Sequence, residues 1–191
     1  ANLDYFEDGA GRMESRRQSG RFEIEMETAD RLSFTTTRDF DRLDQPFDVA
    51  DDLAVPTGRY TFTSHRVNLR TGEQRPLSGN ISYQWGAYYH GDLRSLSVNQ
   101  GRLVVSNHFS LEPGISLNLI DLPEGESDQT VFRLRSDYAF SPRMFASALV
   151  QYNTATDYLS SNVRFRWEYA PGSEVFLVWT DARDTGLGGT G

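Results

Sequence analysis

Charged and apolar residues alternate with period two in the clearest stretches of this chain, and that alternation predicts β-strands with two chemically different faces. Phe22, Ile24 and Met26 fall on one face of a strand over 21–27, with Arg21, Glu23, Glu25 and Glu27 on the other. The same rhythm returns late, where Val163, Phe165, Trp167 and Tyr169 interleave with Arg164, Arg166 and Glu168. A neighbouring run brings Met144, Ala146, Ala148, Val150 and Tyr152 onto one side. Further strands are expected over 31–38, 59–70, 79–90, 93–99, 102–111, 114–121, 130–140 and 174–181. No stretch sustains a helical period. The fold expected is therefore all-β, an antiparallel up-and-down sheet or barrel of about 10 to 12 strands.

Glycine and proline fall between these runs, where tight turns need a fixed or positive φ. Glu112-Pro113-Gly114, Ser141-Pro142 and Ala170-Pro171-Gly172-Ser173 read as short connections. Longer ones are expected over 122–129 and 153–158, and Asn99-Gln100-Gly101 reads as another short turn. From Glu112 onward the connections alternate short and long, as in a transmembrane barrel with brief periplasmic turns and longer outer loops. The stretch from Asp39 to Pro56 is the longest irregular connection, with Phe47 and Val49 expected to pack back on the sheet. Residues 1–20 read as an N-terminal extension, 21–182 as the barrel-like domain and 183–191 as a Gly-rich tail.

Composition narrows the function classes. The 191 residues carry 27 acidic and 19 basic side chains, a formal charge of −8, and every basic residue other than histidine is arginine. Duplex binding needs clustered positive charge, so nucleic acid is not expected as a partner. There is no cysteine, which removes disulfides and thiolate metal sites. No apolar run reaches the length of a transmembrane helix, but barrel strands alternate, so a mean hydropathy of −0.55 leaves a membrane barrel open. The first twenty residues hold no signal-peptide core.

Candidate chemistry is sparse. His65, His90 and His108 stand apart, without a second histidine or a cysteine at metal-ligand spacing. Asp39, Asp41, Asp44, Asp48, Asp51 and Asp52 are rich in charge, but the spacing, central glycine and closing glutamate of a calcium loop are missing, so a solvated acidic loop is expected. No Gly-x-Ser-x-Gly elbow occurs. Glu23, Glu25 and Glu27 are expected to pair across strands with Arg133, Arg135, Arg164 and Arg166 rather than to act as catalytic carboxylates. Neither a cofactor, a metal nor a catalytic residue is expected, and the chain reads as a non-enzyme.

Aromatic residues make up 13% of the chain, and several cluster near predicted strand ends. Tyr83, Trp85, Tyr88, Tyr89, Trp167, Tyr169 and Trp179 are the candidate interfacial or docking residues. Three readings remain open for them: the girdle of a membrane barrel, a stacking platform for sugar rings, or ordinary sheet packing.

Several blocks in combination carry a family resemblance. They are Pro46-Phe47, Val55-Pro56-Thr57-Gly58-Arg59-Tyr60-Thr61-Phe62, Gly86-Ala87-Tyr88-Tyr89-His90-Gly91, Asp137-Tyr138-Ala139-Phe140-Ser141-Pro142, Gln151-Tyr152-Asn153, and the long block from Asn162 to Trp179. Together, over roughly 21–182, they resemble the C-terminal region of a bacterial envelope family of unknown function whose members carry an N-terminal domain similar to carbohydrate-binding module family nine. The resemblance implies an outer-membrane β-barrel contribution, with membrane lipid as the partner. Its occasional hydrolase label finds no supporting residue here. Two departures stand out: the carbohydrate-binding-like domain and first barrel strands are missing, as is a final aromatic-ended strand. The alternative expectation is therefore a soluble periplasmic subunit docked on a larger membrane protein complex, and a third is a carbohydrate-binding β protein.

Overall fold

The structure is a computed structural model describing residues 1–186, apart from 8, 10, 51, 52 and 73 and the side chain of Gln100. Residues 187–191 of the expected tail, like Asp51 and Asp52, lie outside the described residues. Among the described residues there are thirteen strands and no helix. They are β1 (Asn2–Glu7), β2 (Met13–Glu25), β3 (Arg31–Leu43), β4 (Phe47–Ala50), β5 (Leu53–Val55), β6 (Gly58–Arg70), β7 (Leu77–Tyr88), β8 (Gly91–Ser106), β9 (Phe109–Leu122), β10 (Gly125–Ser141), β11 (Met144–Asn153), β12 (Tyr158–Ala170) and β13 (Ser173–Asp184).

Eleven strands form one sheet in the hydrogen-bonded order β1-β2-β3-β6-β7-β8-β9-β10-β11-β12-β13, and β4 and β5 form a separate two-stranded ladder within the β3–β6 connection. Every sheet neighbour is thus the next strand along the chain, apart from this inserted hairpin. Hairpin-length connections favour that order, because a parallel neighbour would need a long crossover. The antiparallel all-β fold expected from the alternation is what forms.

The punctuation is placed differently from the expectation. Both 99–101 and 112–114 lie inside strands β8 and β9, and the chain turns at 107–108. Here Gly101 serves close backbone approach rather than a turn: a Cβ added to it would sit 2.6 Å from the Pro113 carbonyl oxygen. The expected long loop over 122–129 is a tight connection at 123–124, so the short-long alternation of loops is absent. The stretch read as the N-terminal extension holds β1 and the opening of β2, paired from Asn2↔Ser19 to Glu7↔Met13.

By Cα packing the chain divides into two compact units. The first comprises 1–70, 81–96 and 118–128, the second 71–80, 97–117 and 129 onward. In the first unit, register places Phe22 opposite Phe34 and Ile24 opposite Leu32, and continues to Val67 and Leu69. That is one face. The other face carries Ser33, Thr35, Thr37, Asp39 and Asp41 of β3 opposite Asn68, Arg66, Ser64, Phe62 and Tyr60 of β6. An ordinary apolar core occurs where β4–β5 folds over: Leu53, Val55 and Leu122 are buried, with Leu43, Val49, Tyr60, Tyr88, Tyr89 and Ile120 packed around them. Val49 thus packs as expected, and the Phe47 ring lies 5.9 Å from that of Tyr89.

The second unit repeats the two-faced pattern over four consecutive strands. Register aligns Tyr138, Ala146 and Phe165 with Leu177, and aligns Val163 with Ala148 and Trp179, on one face. Asp137, Ser147 and Arg164 share the opposite face, as do Arg135, Leu149, Asn162 and Thr180.

Candidate functional site

The direction in which the two faces point is the feature most relevant to function. On β3 the buried positions are polar, with Ser33 5% and Asp39 8% exposed, whereas Phe34 on the opposite face is 42% exposed. A water-soluble sheet would normally bury Phe34 and expose Ser33. Ser64, next to Thr37 in register, is buried as well, while Phe22 and Ile24 are exposed. In the second unit Val163 and Trp167 are exposed, and Val175, Phe176, Leu177, Val178 and Trp179 form an unbroken exposed apolar run on β13. That run spans both faces, since Phe176 and Val178 pair with Arg166 and Arg164 while Leu177 and Trp179 pair with Phe165 and Val163.

The polar face of the first unit is organised by local pairs. Arg17 Nε donates to Asp39 Oδ1 at 2.6 Å, Arg31 reaches Glu25 at 3.1 Å, and Arg66 Nε donates to Gln84 Oε1 at 3.2 Å. Arg21 pairs with Glu23 two residues along its own strand. Glu23 and Glu25 therefore pair with arginines of their own hairpin, not with the late arginines as expected. Arg135 pairs with Asp137 and Arg166 with Glu174, again locally. The aspartate-rich connection is also not a solvated loop throughout: Asp39 and Asp41 belong to β3, and only Asp44, held by Arg42 at 3.2 Å, and Asp48 among the described members lie beyond it.

The seven candidate aromatics do not form one group. Tyr83 and Trp85 stack, with centroids 5.4 Å apart and planes 20° apart, and Trp85 adjoins His65 and Phe34 at 5.7 and 6.4 Å. Tyr88 and Tyr89 instead join the β4–β5 core, with Tyr89 5.0 Å from Phe62 and 5.3 Å edge-on to Tyr60. Strand alternation separates Tyr88 from Trp85, three positions apart, whereas Tyr89 lies just past the end of β7 with a positive φ of 53°. Burial among these rings, followed by the charge of Asp41, pushes the Tyr89 phenol above its ordinary range, so it stays a neutral hydrogen-bonding group. Trp167 and Tyr169 contact edge to face at 6.1 Å near the β12–β13 turn, and Trp179 stands 55% exposed opposite Val163.

The histidines stay separate. His65 Nδ1 lies 3.1 Å from the Thr36 hydroxyl, His90 contacts the Glu124 carboxylate at 2.7 Å, and His108 Nδ1 lies 3.1 Å from the Ala139 carbonyl oxygen. Among the described residues no three or more His, Asp or Glu side chains come together as a metal centre. Phe34 and His65, which contact Trp85, lie outside the set of aromatics expected from the sequence to form a docking surface. Their signal was present in the chain, since Phe34 and Val67 fit the alternating apolar face. No family model matches this chain, and no curated protein or solved structure matches it either.

Proposed function

We propose that this chain is a non-catalytic segment of a β-barrel in the Gram-negative outer membrane, with its apolar sheet face toward lipid and its polar face toward a lumen. The inverted burial on β3 carries the reading, with Ser33 and Asp39 buried and Phe34 exposed. Lipid solvates an apolar outer face, whereas water would penalise it, and a polar interior is the complementary feature of such barrels. The exposed Phe22, Ile24, Val163, Trp167, Leu177 and Trp179 extend the same pattern to other strands. The resemblance of residues 21–182 to the envelope family supports the same location. The stacked Tyr83 and Trp85 beside Phe34 serve as interfacial aromatics in this reading.

Detergent dependence tests it. The expected result is aggregation in plain buffer and a monodisperse, strand-rich species in detergent micelles. A chain monodisperse without detergent would contradict the proposal.

A second reading rests on β13 alone. Among the described residues it has one neighbour in the sheet order and carries exposed apolar residues on both faces, which suits an edge covered by another protein. In that case the chain is a periplasmic subunit docked on a larger membrane protein complex, and it is recovered only in association with that complex.

A further inference from the structure

A half-open pocket in the second unit mixes polar and apolar lining. Its volume is about 390 Å³, and it is lined by Asn99, Ser116, Arg133 and Gln151, together with Gly114, Ile115 and Val131. The four polar side chains come from four strands, β8, β9, β10 and β11. Register fixes part of the geometry, because Arg133 and Gln151 are direct cross-strand partners and so share a face. Gly114 lies beside Arg133: a Cβ added there would meet the Arg133 Cβ at 3.7 Å, an ordinary van der Waals contact.

Some arginines of this unit are paired with carboxylates and others are not. Arg135, two residues along, is neutralised by Asp137 at 3.1 Å, and Arg166 is neutralised by Glu174. Arg133 has no carboxylate within ion-pair distance among the described residues, and neither it nor Asn99, Ser116 or Gln151 makes a side-chain hydrogen bond to them. Arg102 and Arg143 of the same unit also have no carboxylate partner among the described residues; Arg133, itself exposed, is the one of these that lines the pocket, beside two amides and a hydroxyl.

We infer that this cavity binds a small carboxylate-bearing solute, with Arg133 as the anion-recognising residue and Asn99, Ser116 and Gln151 as hydrogen-bonding neighbours. A guanidinium presents a planar fork that matches a carboxylate through two parallel N–H···O bonds. The amide groups can donate to the same oxygens or bond to further polar groups of the solute, and the serine hydroxyl can do either. The cavity is of the size that takes small metabolites. The site does not depend on what covers the apolar face, because its lining belongs entirely to one compact unit.

Succinate is the probe, titrated into the full chain with ¹⁵N-labelled arginine, in whichever of buffer or detergent the chain is monodisperse. The Arg133 Nε–Hε resonance is expected to shift saturably, while Arg143, in the β10–β11 turn, does not. Arg133→Gln should weaken succinate binding by about tenfold or more, the factor for losing one hydrogen bond to a charged group. Arg133→Lys retains the charge without the fork and should fall between the two. Amide spectra of the variants matching the parent show that the fold is retained. Should Arg133→Gln disturb that spectrum, Gln151→Ala replaces it and should weaken binding by about threefold. Non-saturating shifts shared by all arginines would overturn the inference, as would equal affinity in parent and Arg133→Gln. Succinate binding and detergent dependence are separate measurements, so either proposal can fail while the other holds.

Discussion

Val55 and Trp179 are both apolar residues in β-strands, yet Val55 is fully buried and Trp179 is 55% exposed. Around Val55 the β4–β5 hairpin folds over its own unit, bringing Leu53 and Leu122 into contact and ringing them with Tyr60, Tyr88 and Tyr89. This is packing of the kind that drives folding in water. Around Trp179 the neighbours are laid out along a sheet face, with Val163 and Ala148 in register beside it and no second layer among the described residues of that unit burying Trp179 or Val163. Among the described residues the chain closes an apolar cluster around Leu53, Val55 and Leu122, while Phe22, Phe34, Val163, Leu177 and Trp179 stand exposed. In the proposed reading those exposed residues meet lipid.

The largest expected effect lies on the buried side. Val55→Asp would place a carboxylate without a partner in the Leu53–Leu122 cluster, and should cost about 4 kcal/mol or more, enough to unfold the first unit. Chemical denaturation followed by tyrosine fluorescence reads this. A cost near zero would mean the cluster is not a core.

Leu177→Arg probes the exposed side and sharpens the comparison. If its face meets lipid, arginine near the bilayer midplane should cost about 2 to 4 kcal/mol in vesicle-reconstituted chain. If it meets water, a residue already 61% exposed should tolerate the change to within about 0.5 kcal/mol. Unfolding by urea in the presence of vesicles separates the two.

Two smaller effects concern the polar face. Asp39→Asn removes the ionised partner of Arg17 at a buried position and should destabilise by about 1 to 2 kcal/mol. Glu25→Gln breaks an exposed ion pair with Arg31 and should change stability by no more than about 0.5 kcal/mol. Similar costs for both, measured by the same denaturation, would show that burial does not distinguish these pairs.

Much of the fold was legible because charged residues interleave with apolar ones on β2 and β12, which marks both the strand and its two faces. The direction of those faces was not, since alternation is the same whether Phe165 meets lipid, a core or water. Turn placement failed at 99–101 and 112–114 for a separate reason: glycine and proline have uses inside a strand, and only the neighbouring backbone shows that Gly101 makes room for Pro113. Within the candidate surface, alternation could have separated Tyr83 and Trp85 from Tyr88. The cavity at Arg133 could not be found this way, because β8 and β9 contribute residues whose register no local pattern specifies. Nor could Asp39 be distinguished from Asp44, because one lies within β3 and the other just beyond its end.

The central claim is that the apolar face of β12 and β13 meets lipid, and Trp179 reports on it directly. The chain has three tryptophans, so Trp85→Phe and Trp167→Phe leave Trp179 as the single indole. Its fluorescence in vesicles of brominated phospholipid, compared with unbrominated vesicles and with added aqueous iodide, measures which medium surrounds it. A lipid-facing Trp179 gives blue-shifted emission, strong quenching by the brominated chains and little quenching by iodide. Red-shifted emission quenched by iodide and indifferent to bromine would place this face in water and contradict the account.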